Sequence, residues 1–239
     1  GRFRPRQRRR RVRGLGTPVP RLPLRVWVWT AATCALVLVA VVLWRGSDAA
    51  ATDSTTSAPP DVPAGEPAAE LAEAWSADGA VSAVESGRVL VGDERGLTAR
   101  DVVTGEEAWH YTRANARLCD LTAVDGVVVA VFRTASRCDE QLALDAATGT
   151  RVWTRNVGFR PEVRLSSTDQ LSLAASRNRL VVQDPTGNGY RWTTRVPEEC
   201  RILDAAVGDT GVALLQRCGD GGPLSLRLLD GFDGDEHWS

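Results

Sequence analysis

Lysine and methionine are both absent from this 239-residue sequence, and histidine occurs only twice. Without lysine, all 29 basic residues are arginine and no P-loop exists. Two histidines, His110 and His237, are too few for a histidine-rich metal centre. Both flank a tryptophan and are expected to face solvent. The five cysteines include no C-x-x-C pair, which argues against structural zinc. There is no G-x-S-x-G elbow and nothing resembling a Ser/His/Asp constellation. Long helical periodicity is missing after residue 75, which excludes a helical or α/β domain there. These absences favour a non-enzymatic reading.

The most informative feature present is a repeat. Ala99 to Trp109 and Ala143 to Trp153 both read A-x-D-x-x-T-G-x-x-x-W. Looser copies run from Asp184 to Trp192, with one extra residue between Gly187 and Trp192, and from Asp230 to Trp238, with Leu228 and Asp233 replacing Ala and Thr. The tryptophans are 44, 39 and 46 residues apart, the length of a four-stranded propeller blade. In each copy the Asp (Asp101, Asp145, Asp184, Asp230) can cap a turn by accepting backbone N–H bonds. The Gly (Gly105, Gly149, Gly187, Gly234) supplies a positive φ. The Trp (Trp109, Trp153, Trp192, Trp238) offers a large apolar face to the seam with the next blade. Short apolar runs lie between the copies. The clearest is Leu118 to Val124 and Val127 to Arg133 around an Asp125-Gly126 turn, a strong hairpin signal. The expected fold is all-β, a partial propeller of about four four-stranded blades over residues 75–239. Since the sequence starts without Met and stops just after the fourth Trp, further copies are expected in a longer protein.

The first 75 residues differ. Residues 1–25 hold ten Arg and no acid, so a net charge of −1 for the chain leaves −11 on the rest. Residues 1–24 read as a disordered basic arm and residues 25–45 as a transmembrane helix. Val26 to Trp44 is a 19-residue run without a formal charge, with Trp27, Trp29 and Trp44 at its ends. The arginine excess before it places the N-terminus in the cytoplasm and the remainder outside. A cleavable signal peptide is the competing reading, with Ala49-Ala50-Ala51 as a site, but its apolar core is usually 7–15 residues. Cys34 follows Thr33 with most of the apolar run after it, so it reads as a helix residue and not a lipid attachment site. Residues 46–74, rich in Ala, Pro, Ser and Thr, read as an extended, disordered linker.

Four cysteines lie beyond the span. Cys119 and Cys138 are 19 apart, and Cys200 and Cys218 are 18 apart, each pair bracketing the first two strands of a repeat. Two hairpin disulfides are expected, in keeping with an oxidising, exported location. Asp230, Asp233, Asp235 and Glu236 form an acidic run, but its spacing is not that of an EF-hand and the fourth turn already accounts for it.

The A-x-D-x-x-T-G-x-x-x-W repeat resembles the tryptophan-docking repeat of the PQQ-like, quinoprotein-type β-propellers, a family that includes dehydrogenases and BamB-type assembly scaffolds. The resemblance covers Trp75 to Trp238. It implies a propeller. The family's dehydrogenases carry an adjacent Cys-Cys disulfide, a Ca²⁺ with Glu, Asn and Asp ligands, and a catalytic Asp. The sequence has no adjacent Cys pair, and those ligands find no matching positions. PQQ with calcium is therefore implied by resemblance alone, and no catalytic, cofactor or metal residue is assigned. The expected function is a membrane-anchored extracytoplasmic binding or scaffold module. Its alternatives are a quinoprotein-like dehydrogenase with its site in absent blades, and an extracellular sensor domain. Loops at Asp93 to Gly96, Thr134 to Asp139 and Cys218 to Pro223 are candidate contact sites. The acidic body suits a basic protein or cell-envelope component and argues against nucleic acid. An arginine-only, Ala/Gly/Val-rich composition is in keeping with a GC-rich bacterial genome.

Overall fold

The computed structural model describes residues 23–61, 72–159, 162–187 and 189–239. It divides into residues 1–45 and residues 46–239. The basic arm expected over residues 1–24 lies almost wholly outside the described residues. In the first unit, α1 (Leu24–Arg45) is long and apolar enough to cross a membrane.

The second unit is all-β apart from one helical turn, α2 (Asp48–Ala51), which leads into β1 (Thr52–Ser54). Four antiparallel blades follow, each a meander of sequential strands. Blade 1 comprises β2 (Val81–Glu85), β3 (Arg88–Gly92), β4 (Gly96–Asp101) and β5 (Glu107–Arg113). Blade 2 comprises β6 (Arg117–Val124), β7 (Val127–Arg133), β8 (Cys138–Asp145) and β9 (Arg151–Asn156). Blade 3 comprises β10 (Arg164–Ser167), β11 (Ser172–Ala175), β12 (Arg179–Gln183) and β13 (Tyr190–Arg195). Blade 4 comprises β14 (Cys200–Val207), β15 (Gly211–Cys218), β16 (Leu224–Asp230) and β17 (Glu236–Trp238).

In blades 2 and 3 the middle strands are largely buried on both faces, so they include continuous apolar runs such as Val127 to Phe132. Their alternate residues feed two different seams. Val128, Ala130 and Phe132 face blade 1, packing with Leu90, Leu97, Trp109 and Tyr111. Val129 and Val131 point the other way, towards Trp153, Ala174 and Val181. The seam between blades 3 and 4 is again apolar, built on Leu171, Leu173, Leu180, Ile202, Val212 and Leu214. Between blades 2 and 3 the packing is more polar, with Gln141, Ser172 and Gln183 fully buried.

The outer hairpin of every blade has one register shift, just before the tryptophan. Ala99 pairs with Trp109 but Arg100 with Glu107, and the same offset recurs at Trp153, Trp192 and Trp238. A bulge at this point re-aims the indole.

The disordered linker expected over residues 46–74 is not what residues 46–61 form. β1 pairs antiparallel with β5 as a fifth strand on the outer edge of blade 1. Its residues are polar and lack apolar alternation, so the stabilisation comes from backbone bonding to an edge that is otherwise unpaired. Ala114 N–H donates to the Ala51 carbonyl, Thr55 N–H to His110, and Ser57 N–H to Thr148 of blade 2. The rest of the expected linker, residues 62–71, lies outside the described residues.

Candidate functional site

The repeat motif builds one end of the blade arc. Asp145 Oδ1 accepts the Thr148 N–H at 2.8 Å and the Thr148 hydroxyl at 2.8 Å, and Gly149 N–H closes the turn onto the Asp145 carbonyl. Asp101 and Asp230 cap their turns in the same way, accepting from Val103 and Thr104, and from Phe232 and Asp233. These backbone N–H bonds hold the Asp101 and Asp230 carboxyls below their ordinary pKa.

Three of the four turns receive an indole from the chain that precedes their blade. Trp109 Nε1 donates to the Ala146 carbonyl at 3.1 Å, and its ring lies over Gly149. Trp192 does the same with Gly231 and Gly234, and Trp75 with Val102 and Gly105. In each case the acceptor follows the motif Asp by one residue and the glycine by four.

Trp153 departs from this pattern. Asp184 is followed by Pro185-Thr186-Gly187, so the third turn is one residue shorter before its glycine. Asp184 Oδ1 accepts from both Thr186 and Gly187, and Gly187 has no positive φ and no indole against it. Burial pushes the Asp184 carboxyl up, but these bonds and Arg191 outweigh it, and its pKa falls below the ordinary value. Trp153 Nε1 is buried without a hydrogen-bond partner. The guanidinium of Arg155 instead stacks between the rings of Trp153, at 4.2 Å, and Tyr190, at 4.9 Å. Its Nη2 donates to the Gly187 carbonyl. Trp238 is about half exposed, at 49%.

The strap formed by residues 46–61 locks blade 1 to blade 2 through two buried arginines. Arg113, only 1% exposed, donates to Asp48 at 2.8 Å on the strap and to Glu140 at 2.5 Å on blade 2. Arg88 donates to Asp101, to the Ala147 carbonyl of blade 2, and to Ser57 Oγ and the Ala58 carbonyl of the strap. Contrary to the expected solvent exposure, His110 is half-buried beneath β1. Its Nδ1 lies 2.7 Å from Glu107 and 3.3 Å from Thr55 Oγ1, and its Nε2 lies 3.5 Å from Asp53. The Glu107 bond raises the His110 pKa, burial opposes it, and Asp53 adds to the rise. His237 remains about half exposed beside Asp230. No periodicity could have revealed this strap, because its signal lies in backbone edges and not in apolar side chains.

Both cysteine pairs are disulfide-bonded, Cys119 to Cys138 and Cys200 to Cys218. The second joins directly paired residues of β14 and β15. The first differs from the expected hairpin clasp: Cys138 opens the third strand of blade 2, so the bridge spans β6 to β8. Cys119 sits in a bulge that also turns Asp120 towards blade 3, where it accepts the Leu165 N–H at 2.7 Å. Burial raises the Asp120 pKa against this bond.

The three candidate loops, Asp93 to Gly96, Thr134 to Asp139 and Cys218 to Pro223, lie at the end opposite the motif turns, where Asp48 meets Arg113. The motif-turn end carries Glu85, Glu106, Asp125, Asp209, Asp233 and Asp235, all in or beside its turns.

The residues present do not fit PQQ with calcium. Both disulfides join cysteines 18 or more residues apart, so none supplies an adjacent pair. Among the described residues, no three His, Cys, Asp or Glu side chains cluster to hold a metal.

Four meander blades, with Trp109 and Trp192 seated on the turns of the blades that follow them, form a β-propeller arc of the PQQ-like repeat class. The sequence matches the family described as outer membrane protein assembly factor BamB over residues 42–188 and 138–239, and the chain belongs to that family. Similar solved structures include the designed Ika8 protein (16% identity, TM-score 0.48, 65% of this chain and 46% of that one). BamB from Moraxella catarrhalis is similar at 15% identity and TM-score 0.42, over 67% of this chain and 60% of that one. A europium-containing methanol dehydrogenase is similar at 14% identity and TM-score 0.49, over 66% of this chain and 40% of that one. The chain thus spans about half the length of these structures. Among curated proteins, no match to the sequence is found.

Proposed function

We propose that this chain is a single-pass, membrane-anchored, extracytoplasmic propeller module that binds a protein or cell-envelope partner. The observation that carries this reading is the pairing of a 22-residue apolar helix with a strapped, doubly disulfide-bonded blade arc of a family described by an assembly factor. Membership of a family described by an assembly factor supports a scaffold role, and the disulfides support an oxidising compartment. The acidic turn end suits a cationic partner surface. The quinoprotein-like reading is the alternative favoured by fold kinship, and the fit of the residues opposes it.

Two measurements test the proposal. A photo-crosslinking residue at Asp125 or Asp209, in cells producing the chain, should yield one discrete protein or envelope adduct. The adduct should weaken when neighbouring turn acids are neutralised. Titration of the purified chain with PQQ and Ca²⁺ should leave the cofactor spectrum unchanged; saturable binding would replace the scaffold reading with the quinoprotein one.

A further inference from the structure

We propose that Trp75 caps blade 1 against a second copy of this chain. The outward face of blade 4 in one copy fits the outward face of blade 1 in another, and Trp75 occupies the seat that the incoming Trp238 needs. Residues 73–77 are thus a built-in competitor for head-to-tail association, whichever compartment holds the blades.

The first observation is the seat itself. Residues 72–79 form no strand, yet Trp75 Nε1 donates to the Val102 carbonyl at 3.1 Å. Its ring lies against Gly105, where an added Cβ would come within 2.7 Å of it. Trp109 makes the same 3.1 Å bond to Ala146 and the same contact with Gly149, and Trp192 repeats both on Gly231 and Gly234. In those two seams the indole comes from the third residue of the preceding blade's outer strand, β5 or β13. Trp238 is likewise the third residue of β17 and is 49% exposed. Glu73-Ala74-Trp75 repeats Glu107-Ala108-Trp109 residue for residue, and β17 reads Glu236-His237-Trp238. Trp75 therefore stands in for the outer-strand indole of a blade placed before blade 1.

The second observation is the register of the two outward faces. Arg88 pairs with Asp101 in blade 1 as Val127 pairs with Asp145 in blade 2. Val89 and Val91 consequently hold the places of Val128 and Ala130, the side of blade 2 that receives blade 1. Leu228 pairs with Trp238 as Ala99 pairs with Trp109, so Leu226 and Leu228 hold the places of Leu97 and Ala99. Leu97, Ala99, Val128 and Ala130 are all fully buried in the seam between blades 1 and 2. Leu226, by contrast, is 48% exposed, and a cleft of about 490 Å³ remains where the Trp75 segment crosses Val89 and Val91. Blade 4 thus offers the first half of a blade seam and blade 1 the second half. A contact between copies would continue the packing that the chain already makes internally. Such a contact is heterologous and propagates or closes only if the seat is free, which is what the cap controls.

The test compares the full chain in one detergent with Trp75→Ala, Trp238→Ala and the double variant, by sedimentation over a range of concentrations. Trp75→Ala should associate at least about 10-fold more tightly than the parent, because an aromatic anchor gains its pocket. The double variant should return to the parent's mass, and Trp238→Ala alone should match it. A free peptide spanning residues 72–79 should dissociate the Trp75→Ala assemblies, and the same peptide carrying Trp75→Ala should not. The fold of each variant is checked by intact disulfides and an unchanged far-UV spectrum. A second measurement leaves Trp75 in place, with benzoylphenylalanine at Leu226 in a concentrated mixture of isotopically light and heavy copies. Its adduct should join light to heavy chains at residues 82–91. Sedimentation of Trp75→Ala like the parent, association that survives loss of Trp238, or adducts confined to one copy overturns the inference. Any of these gives the two faces to another partner.

Discussion

Trp109 donates its indole N–H to the carbonyl of Ala146 at 3.1 Å, and the same ring lies so close to Gly149 that an added Cβ would come within 2.7 Å of it. A strand of one blade thus reads the turn of the next through one hydrogen bond and one missing side chain.

Gly149 is therefore doubly constrained, by contact and by its φ of +78°. Gly149→Ala should destabilise the chain by about 2–4 kcal/mol, combining left-handed strain with displacement of the indole. Gly219→Ala is the matched control, with φ +73° and open space where the Cβ would go. Its cost should be only about 1–2 kcal/mol. Denaturant unfolding of both variants checks this, and equal costs would show that the indole contact contributes nothing.

Trp109→Phe removes a made hydrogen bond and leaves the Ala146 carbonyl without its partner. Trp153→Phe removes an N–H that has none. The first should cost about 1–2 kcal/mol more than the second. A reversed order in thermal unfolding would contradict the assignment of the third seam as the exceptional one.

Replacing Cys200 and Cys218 together by Ser opens a clasp with a sequence separation of 18. The expected loss is about 3 kcal/mol in the chain-entropy account. Reducing agent should lower the melting temperature of the parent chain and shift this variant by less. An unchanged melting temperature on reduction would show that the clasps are dispensable.

The strap should respond to pH through His110. Glu107 and Asp53 stabilise its protonated form, so its folded pKa lies above the ordinary 6.5. The stabilisation is fully present below that value and is lost as pH rises through the raised folded pKa. Exchange at residues 52–55, corrected for the intrinsic pH dependence of amides, should therefore quicken on the alkaline side of 6.5. His110→Gln should flatten this response. A pH-independent strap in the parent chain would remove His110 from the account.

Much of the blade arc was legible because its information is local. Asp125-Gly126 marks a hairpin, and the Asp-to-Trp spacing of eight residues is kept in all four motif copies. The indole positions follow from that spacing and from the bulge beside each Trp. The third seam was not legible, since the shorter Asp184 turn scans as a tolerable variant while its geometry denies Trp153 an acceptor. The strap was hidden for another reason. Thr52 to Ser57 carries no apolar pattern, and its stabilisation comes from the unpaired edge of β5 and from Arg88 and Arg113, which lie far from it in sequence. His110 looked like a solvent-facing residue because the chain that covers it passes more than fifty residues earlier.

The most direct measurement is protease accessibility of the full chain in intact spheroplasts. Fragments from residues 46–239 should be released by external protease at elevated concentration, while an epitope placed before residue 1 stays protected until lysis. Protection of the blades together with digestion of that epitope, or recovery of the whole chain in the soluble fraction, would contradict a propeller displayed outside the cell on a single apolar helix.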